Sequence, residues 1–191
     1  LSFYTVFTPG ATATTLRIAA NGTGPLVLNG PLNAVSEGPK ILVLHGQNTD
    51  ANTINGVINQ TYLGNGTLSL TVNPNVGNDD RYGNGRWVLT NGGNNFTGNV
   101  TVTTGTLELN GDLKTGVETT SVFGDLSGTR QISMGINGFD GRRYDNQGGG
   151  DNLGGAAGVN SMGTLVFKDP NPGTATLGPN ITFFSSGSAW S

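Results

Sequence analysis

Cysteine is missing from this 191-residue chain, which excludes a disulfide staple and a thiolate metal site. Charge is scarce: 11% of residues are charged, against about 25% in ordinary soluble domains. A net charge of only −3 argues against the disorder that accompanies strong like-charge repulsion. The few Arg and Lys residues are scattered, so the basic stripe that a nucleic-acid partner needs is missing. No apolar run reaches the length of a membrane helix, and no membrane span is expected. Helical periodicity is missing too, because the 33 Gly and 8 Pro interrupt almost every window long enough to hold a helix.

The polarity is supplied instead by Gly, Asn and Thr. Thr favours strands, whereas Gly and Asn favour tight turns and positive φ. Against this background five triplets share one pattern: Leu26-Val27-Leu28, Leu42-Val43-Leu44, Leu68-Ser69-Leu70, Trp87-Val88-Leu89 and Leu107-Glu108-Leu109, with Leu165-Val166-Phe167 a later candidate. The last residues of the first five fall at 28, 44, 70, 89 and 109, in steps of 16, 26, 19 and 20. Alternation along a strand turns the outer residues of each triplet inward and the middle one outward, which suits Ser69 and Glu108. Asn29-Gly30, His45-Gly46 and Asn110-Gly111 then bend the chain. A strand-turn unit of about 20 residues cannot bury its apolar side alone, but a stack of such units can, as a solenoid of roughly nine or ten turns at most. Residues 137–160 break the pattern and read as one long Gly-rich loop or insertion.

The segment 40–111 resembles the autotransporter-associated β-strand repeat, also called the passenger-associated repeat, of bacterial surface proteins. The likeness rests on Lys40-Ile41-Leu42-Val43-Leu44-His45-Gly46-Gln47-Asn48-Thr49, Ala51-Asn52-Thr53-Ile54-Asn55-Gly56-Val57-Ile58 and Gly66-Thr67-Leu68-Ser69-Leu70. It continues through Gly85-Arg86-Trp87-Val88-Leu89, Asn95-Phe96-Thr97-Gly98 and Gly105-Thr106-Leu107-Glu108-Leu109. Residues 74–84 form a longer turn than the family pattern has, the pattern fades after Asp112, and no outer-membrane barrel is expected within these 191 residues. The resemblance implies a secreted or surface-displayed β-helix and carries over no catalytic residue. With the repeat, it leads us to expect one all-β domain over residues 1–191, a right-handed parallel β-helix with Gly/Asn-rich turns.

Few residues invite chemistry. His45 is the single histidine and occupies the slot that Asn29 and Asn110 fill in similar turns, so a turn residue is expected rather than a general base. Asp140, Asp145 and Asp151 are candidate calcium ligands in the Gly-rich region, and Asp79-Asp80 lie in another turn. The run Gly148–Leu153 lacks the spacing of a calcium nonapeptide and does not recur, so solvated loops and no cofactor are expected. Arg142-Arg143 reads as a surface charge cluster, and the acids gather in turns rather than as a pair on one strand face, so an enzyme is not expected. Six Asn-x-Thr/Ser sites, at Asn21, Asn59, Asn65, Asn95, Asn99 and Asn180, fit the Asn/Thr-rich composition without indicating glycosylation.

The chain begins at Leu1 without an initiator Met, which leaves two alternatives, a removed leader or a piece of a longer protein. Its ends are apolar: Phe3, Tyr4 and Phe7 at one, Phe183, Phe184 and Trp190 at the other. A stack of strands exposes unpaired backbone at both ends, and no polar or helical cap is evident. Those six residues are therefore the expected assembly contacts of an extracellular structural subunit that polymerises head-to-tail into a fibre on a bacterial surface. The alternative is an adhesin or passenger stalk whose partners are host or biofilm glycans, met by the 137–160 loop. A polysaccharide-active β-helix enzyme comes third.

Overall fold

The structure, a computed structural model, describes residues 2–4, 14–35, 37–72, 85–113, 119–134, 142–144, 150–152, 163–168 and 181–185. Within them every regular element is a strand. A six-stranded sheet holds β2 (Thr14–Ala19), β5 (Lys40–His45), β8 (Leu68–Val72), β10 (Val100–Val102), β12 (Arg130–Met134) and β16 (Ile181–Ser185), side by side in that order. A five-stranded sheet holds β3 (Val27–Leu28), β6 (Ala51–Ile54), β9 (Arg86–Leu89), β11 (Thr106–Leu109) and β15 (Thr164–Phe167). A three-stranded sheet holds β1 (Ser2–Tyr4), β4 (Leu32–Val35) and β7 (Ile58–Tyr62). All neighbours in these sheets are parallel. The protein is thus all-β, and these three sheets are built from parallel strands.

The sheets are filled in rotation. β2, β3 and β4 enter the six-, five- and three-stranded sheets in turn, and β5, β6 and β7 revisit them in the same order. Register partners lie 26 residues apart in the early passes, as in Thr14↔Lys40, Val27↔Thr53 and Leu32↔Ile58. Later the offset becomes 28 at Lys40↔Leu68, 35 at Ala51↔Arg86 and 20 at Arg86↔Thr106. This corrects the period of about 20 residues. The triplets ending at Leu44 and Leu70 belong to the six-stranded sheet and those ending at Leu28, Leu89 and Leu109 to the five-stranded one, so their spacing mixed two series.

Register lines up like with like. Leu16, Leu42, Leu70, Val100 and Ile132 form one column across the six-stranded sheet. Leu28, Ile54, Leu89, Leu109 and Phe167 form another across the five-stranded sheet. Apart from Phe167, which is exposed, both columns join one core, with Leu32, Ala34 and Ile58 from the third sheet and with Phe96 and Phe123 from turns. Each fully buried large apolar side chain contributes roughly 1.5–3 kcal/mol, so these columns dominate over surface ion pairs worth about 0–1 kcal/mol each. Outward residues are not all exposed: Val43, Val88 and Glu108, the middle residues of three triplets, are buried.

The three-stranded sheet stops at β7 because side-chain amides take the place of the next strand. Asn94 Oδ1 accepts from Ile58 N (2.8 Å), Asn95 Oδ1 accepts from Gln60 N (2.8 Å), and Gln60 Oε1 accepts from Thr97 N (2.8 Å). Asn94 is buried, and its Nδ2 donates onward to Val122 O at 2.9 Å. Asn94→Ala strands both backbone groups, at about 1–3 kcal/mol each. We expect a melting temperature lower by roughly 5–15 °C in a circular-dichroism melt; a drop under about 2 °C would count against the amide as a strand substitute.

Between β12 and β15 lie β13 (Arg142–Tyr144) and β14 (Gly150–Asn152), an antiparallel pair that forms a sheet of its own. The Gly-rich stretch at 137–160 therefore contains a short hairpin rather than only loop.

Candidate functional site

Parallel sheets leave one free edge at each end, and here the edges have a defined polarity. In β2, Thr14 N donates to Pro39 O and, just beyond the strand, Ala20 N donates to His45 O, both toward the next pass. Groups alternate along a strand, so Thr15, Arg17 and Ala19 direct their N–H and C=O away from β5, where no strand follows among the described residues. At the opposite edge the column of Leu70, whose N–H donates forward to Asn99 O, continues through Val100 and Ile132 into Phe183 of β16, and alternation gives Ile181 and Ser185 the same facing. Those forward-facing groups likewise meet no further strand among the described residues. The five-stranded sheet ends on β3 and β15. Val27 on β3 (48% exposed) and Phe167 on β15 (40%) are the exposed large apolar side chains of the described residues, one at each end of that sheet.

Of the residues expected at assembly contacts, Phe3 and Tyr4 fall on β1, an edge strand in register with Ala34 and Val35. Phe183 and Phe184 fall on β16 at the other end, in register with Ile132 and Ser133. Phe7 and Trp190 lie outside the described residues. So do the calcium candidates Asp140 and Asp145, while Asp151 sits on β14 opposite Arg143. Among the described residues no group of three metal-binding side chains comes together, and no helix is long and apolar enough to cross a membrane.

His45 departs from the sequence reading. It ends β5, is buried and pairs in register with Ala19 of the six-stranded sheet, whereas Asn29 and Asn110 follow strands of the five-stranded sheet. The partners of Asn29 are its own: Asn55 Nδ2 donates to Asn29 Oδ1 (2.8 Å), and Thr90 Oγ1 donates to Asn55 Oδ1 (2.8 Å). A shallow cleft between the turns Glu37–Pro39 and Gly64–Thr67 has Glu37 as its one charged lining residue.

Interior charges escaped the sequence reading; besides Lys40, 1% exposed with Nζ donating to Glu37 O (2.8 Å), there are two. Arg130 is 1% exposed, its guanidinium 5.0 Å from the Phe96 ring centre and 4.8 Å from that of Phe123. One nitrogen donates to Phe123 O (2.8 Å) and Asp125 O (3.0 Å), while Nε and the other terminal nitrogen find no partner among the described residues. Burial pushes its pKa down to about 10, against a small opposing pull from Asp125. The signal was the alternation Arg130-Gln131-Ile132, which puts Arg130 on the inward face of Ile132.

The second is Glu108, buried on the outer face of β11 between two cations. Arg86 donates to Oε2 at 2.6 and 3.2 Å, and Lys168 lies 3.0 Å from Oε1. One carboxylate thus ties β9, β11 and the end of β15. Burial pushes the Glu108 pKa up, but hydrogen bonds and charge from Arg86 and Lys168 outweigh it and hold the group below the ordinary value. The group therefore adds stability that is full above its unfolded pKa and lost as pH falls through its lower folded pKa. Both cations are partly exposed, so about 1 kcal/mol is expected at neutral pH. In melts of wild type and Glu108→Gln across pH 7 to about 2, the wild-type advantage should shrink in acid; a constant difference would refute the assignment.

A scan against protein-family models finds no match, and searches of curated proteins and of solved structures find none either.

Proposed function

We propose that the chain is an extracellular bacterial structural protein, a right-handed parallel β-helix whose copies add head-to-tail into a surface fibre. The observation that carries this reading is the pair of polar-opposite edges that meet no further strand among the described residues: β1, β2 and β3 at one end, β15 and β16 at the other. A head-to-tail contact between such ends does not close on itself, so it propagates. The rotation through three sheets supports the β-helix, and the strong right-handed bias of parallel crossovers sets its hand. The likeness of residues 40–111 to the autotransporter-associated repeat supports a surface location. Catalysis is not part of the reading: the one carboxylate buried among the described residues, Glu108, is held by two cations.

A second reading, a monomeric adhesin or passenger stalk that binds glycans, is favoured by the β13–β14 hairpin, which pairs with no other described strand. Electron microscopy with analytical ultracentrifugation separates the two. Filaments are expected; dispersed monomers at every concentration would overturn the fibre and favour the stalk. Thr15→Pro sharpens the test, since proline is tolerated at an edge whose N–H faces outward. It should leave the monomer's melt within a few degrees of wild type while abolishing filaments.

A further inference from the structure

We infer that, if copies do assemble end to end, they join through the six-stranded sheet, with β16 of one copy beside β2 of the next and Phe183 in register with Leu16. The inference rests on the fibre reading and specifies its contact. It starts from a mismatch in strand number. β2 and β3 belong to one pass of the chain, and β12 and β15 to another, but β16 lies one strand beyond β12. The two sheets therefore cannot both continue strand-on-strand across one junction. Placing an incoming β3 on β15 would put its β2 at the level that β16 already fills. Placing β2 on β16 meets no such obstruction among the described residues, and leaves the described five-stranded sheet one strand short of the junction, between β15 and the incoming β3. Val27 and Phe167, the exposed large apolar residues among those described, are on those two strands.

The register follows from the columns. Leu16, Leu42, Leu70, Val100, Ile132 and Phe183 align through all six strands, and a junction that places Phe183 beside Leu16 extends that series without a break. A slip of one residue would set the apolar column against Thr15 or Arg17. The same register meets the backbone polarity. Ile181, Phe183 and Ser185 hold the forward-facing positions of β16, and Thr15, Arg17 and Ala19 the backward-facing positions of β2. The Thr15 and Arg17 N–H groups would donate to the Ile181 and Phe183 carbonyls, and the Phe183 and Ser185 N–H groups to those of Thr15 and Arg17. Thr182 falls opposite Thr15, and Phe184 opposite Arg17.

The chain has no cysteine, so introduced thiols report the junction without background. Thr15→Cys mixed with Thr182→Cys should give, on mild oxidation, roughly tenfold more disulfide dimer than Arg17→Cys mixed with Thr182→Cys, a pair two residues out of register and beyond bridging distance. The double variant Thr15→Cys/Thr182→Cys should give a covalent ladder on a non-reducing gel. Melts matching wild type establish that each variant is folded. Independently, six strand spacings per copy predict an axial repeat of about 29 Å in images of wild-type filaments. Filaments with a repeat of about 24 Å, or without the Thr15–Thr182 cross-link, overturn this junction and leave the fibre reading standing. Folded monomers that neither polymerise nor cross-link overturn both.

Discussion

Leu107→Asp is expected to unfold the protein. Leu107 is fully buried in β11, in register between Trp87 of β9 and Leu165 of β15, so it lies mid-column with strands on both sides. Truncation to Ala alone costs about 2–5 kcal/mol, from lost apolar transfer plus the cavity left behind. Asp adds the cost of a polar group or charge with no partner, several kcal/mol more even if the carboxyl is driven to its neutral form. The sum approaches the 5–15 kcal/mol that holds a typical domain together. Arg86 and Lys168 offer no relief, since they are engaged with Glu108, which alternation places on the opposite side of β11. Circular dichroism and size exclusion decide the matter. We expect loss of the cooperative melt in Leu107→Asp and a weakened but cooperative melt in Leu107→Ala. A soluble Leu107→Asp variant melting within a few degrees of wild type would refute the column as the seat of stability.

That column also shows what can be read from the sequence. The triplets mark strands correctly, because alternation and β-propensity are local properties of Leu107-Glu108-Leu109 and its counterparts. Which triplets are neighbours is not local. Leu89 and Leu109 pair directly at an offset of 20, but Leu42 pairs with Leu70 at 28 and Leu109 with Phe167 at 58, because the connections between passes vary in length. Averaging such offsets across two sheets produced a period that β9 and β11 obey and the other two pairs do not.

The same limit hid the polar interior. Glu108 reads as an outward strand residue, and it is one, but its cover comes from Arg86 and Lys168, 22 and 60 positions away. The Asn52 amide on β6 accepts from Leu26 N (3.0 Å) and donates to Arg86 O (2.9 Å), spanning three passes. Side chains that bridge passes are visible only once register is known. Of the six apolar residues expected at the ends, Phe3, Tyr4, Phe183 and Phe184 fall on edge strands, and Phe7 and Trp190 lie outside the described residues.

The closest packing between passes occurs at turns, and there a single methyl group is expected to be severe. Gly46 follows β5 with φ +125°, a conformation that L side chains rarely adopt, and a Cβ there would lie 2.2 Å from Ala20 O and 2.6 Å from Ala20 C. Both atoms are backbone, and Ala20 is fixed on either side by Ala20 N donating to His45 O (2.9 Å) and Ala20 O accepting from Asn48 N (3.0 Å). The obstruction therefore cannot rotate away as a side chain could. The Gly46 carbonyl is engaged in turn, accepting from Gly85 N at 3.0 Å, so displacing Gly46 disturbs the next pass as well. Backbone strain of about 1–3 kcal/mol and overpacking of about 1–3 kcal/mol give an expected loss of roughly 2–6 kcal/mol for Gly46→Ala. Gly22→Ala is the matched control: its Cβ would meet nothing within 4 Å, and its φ is outside the positive range. There the methyl restricts mainly the unfolded chain, and the effect should lie between neutral and about 1 kcal/mol stabilising. Chemical denaturation of both variants measures the contrast. Equal midpoints would show that the passes do not meet at Gly46 as closely as described, whereas a large gap confined to Gly46 identifies this turn as a place where stacked backbones leave no room for a side chain.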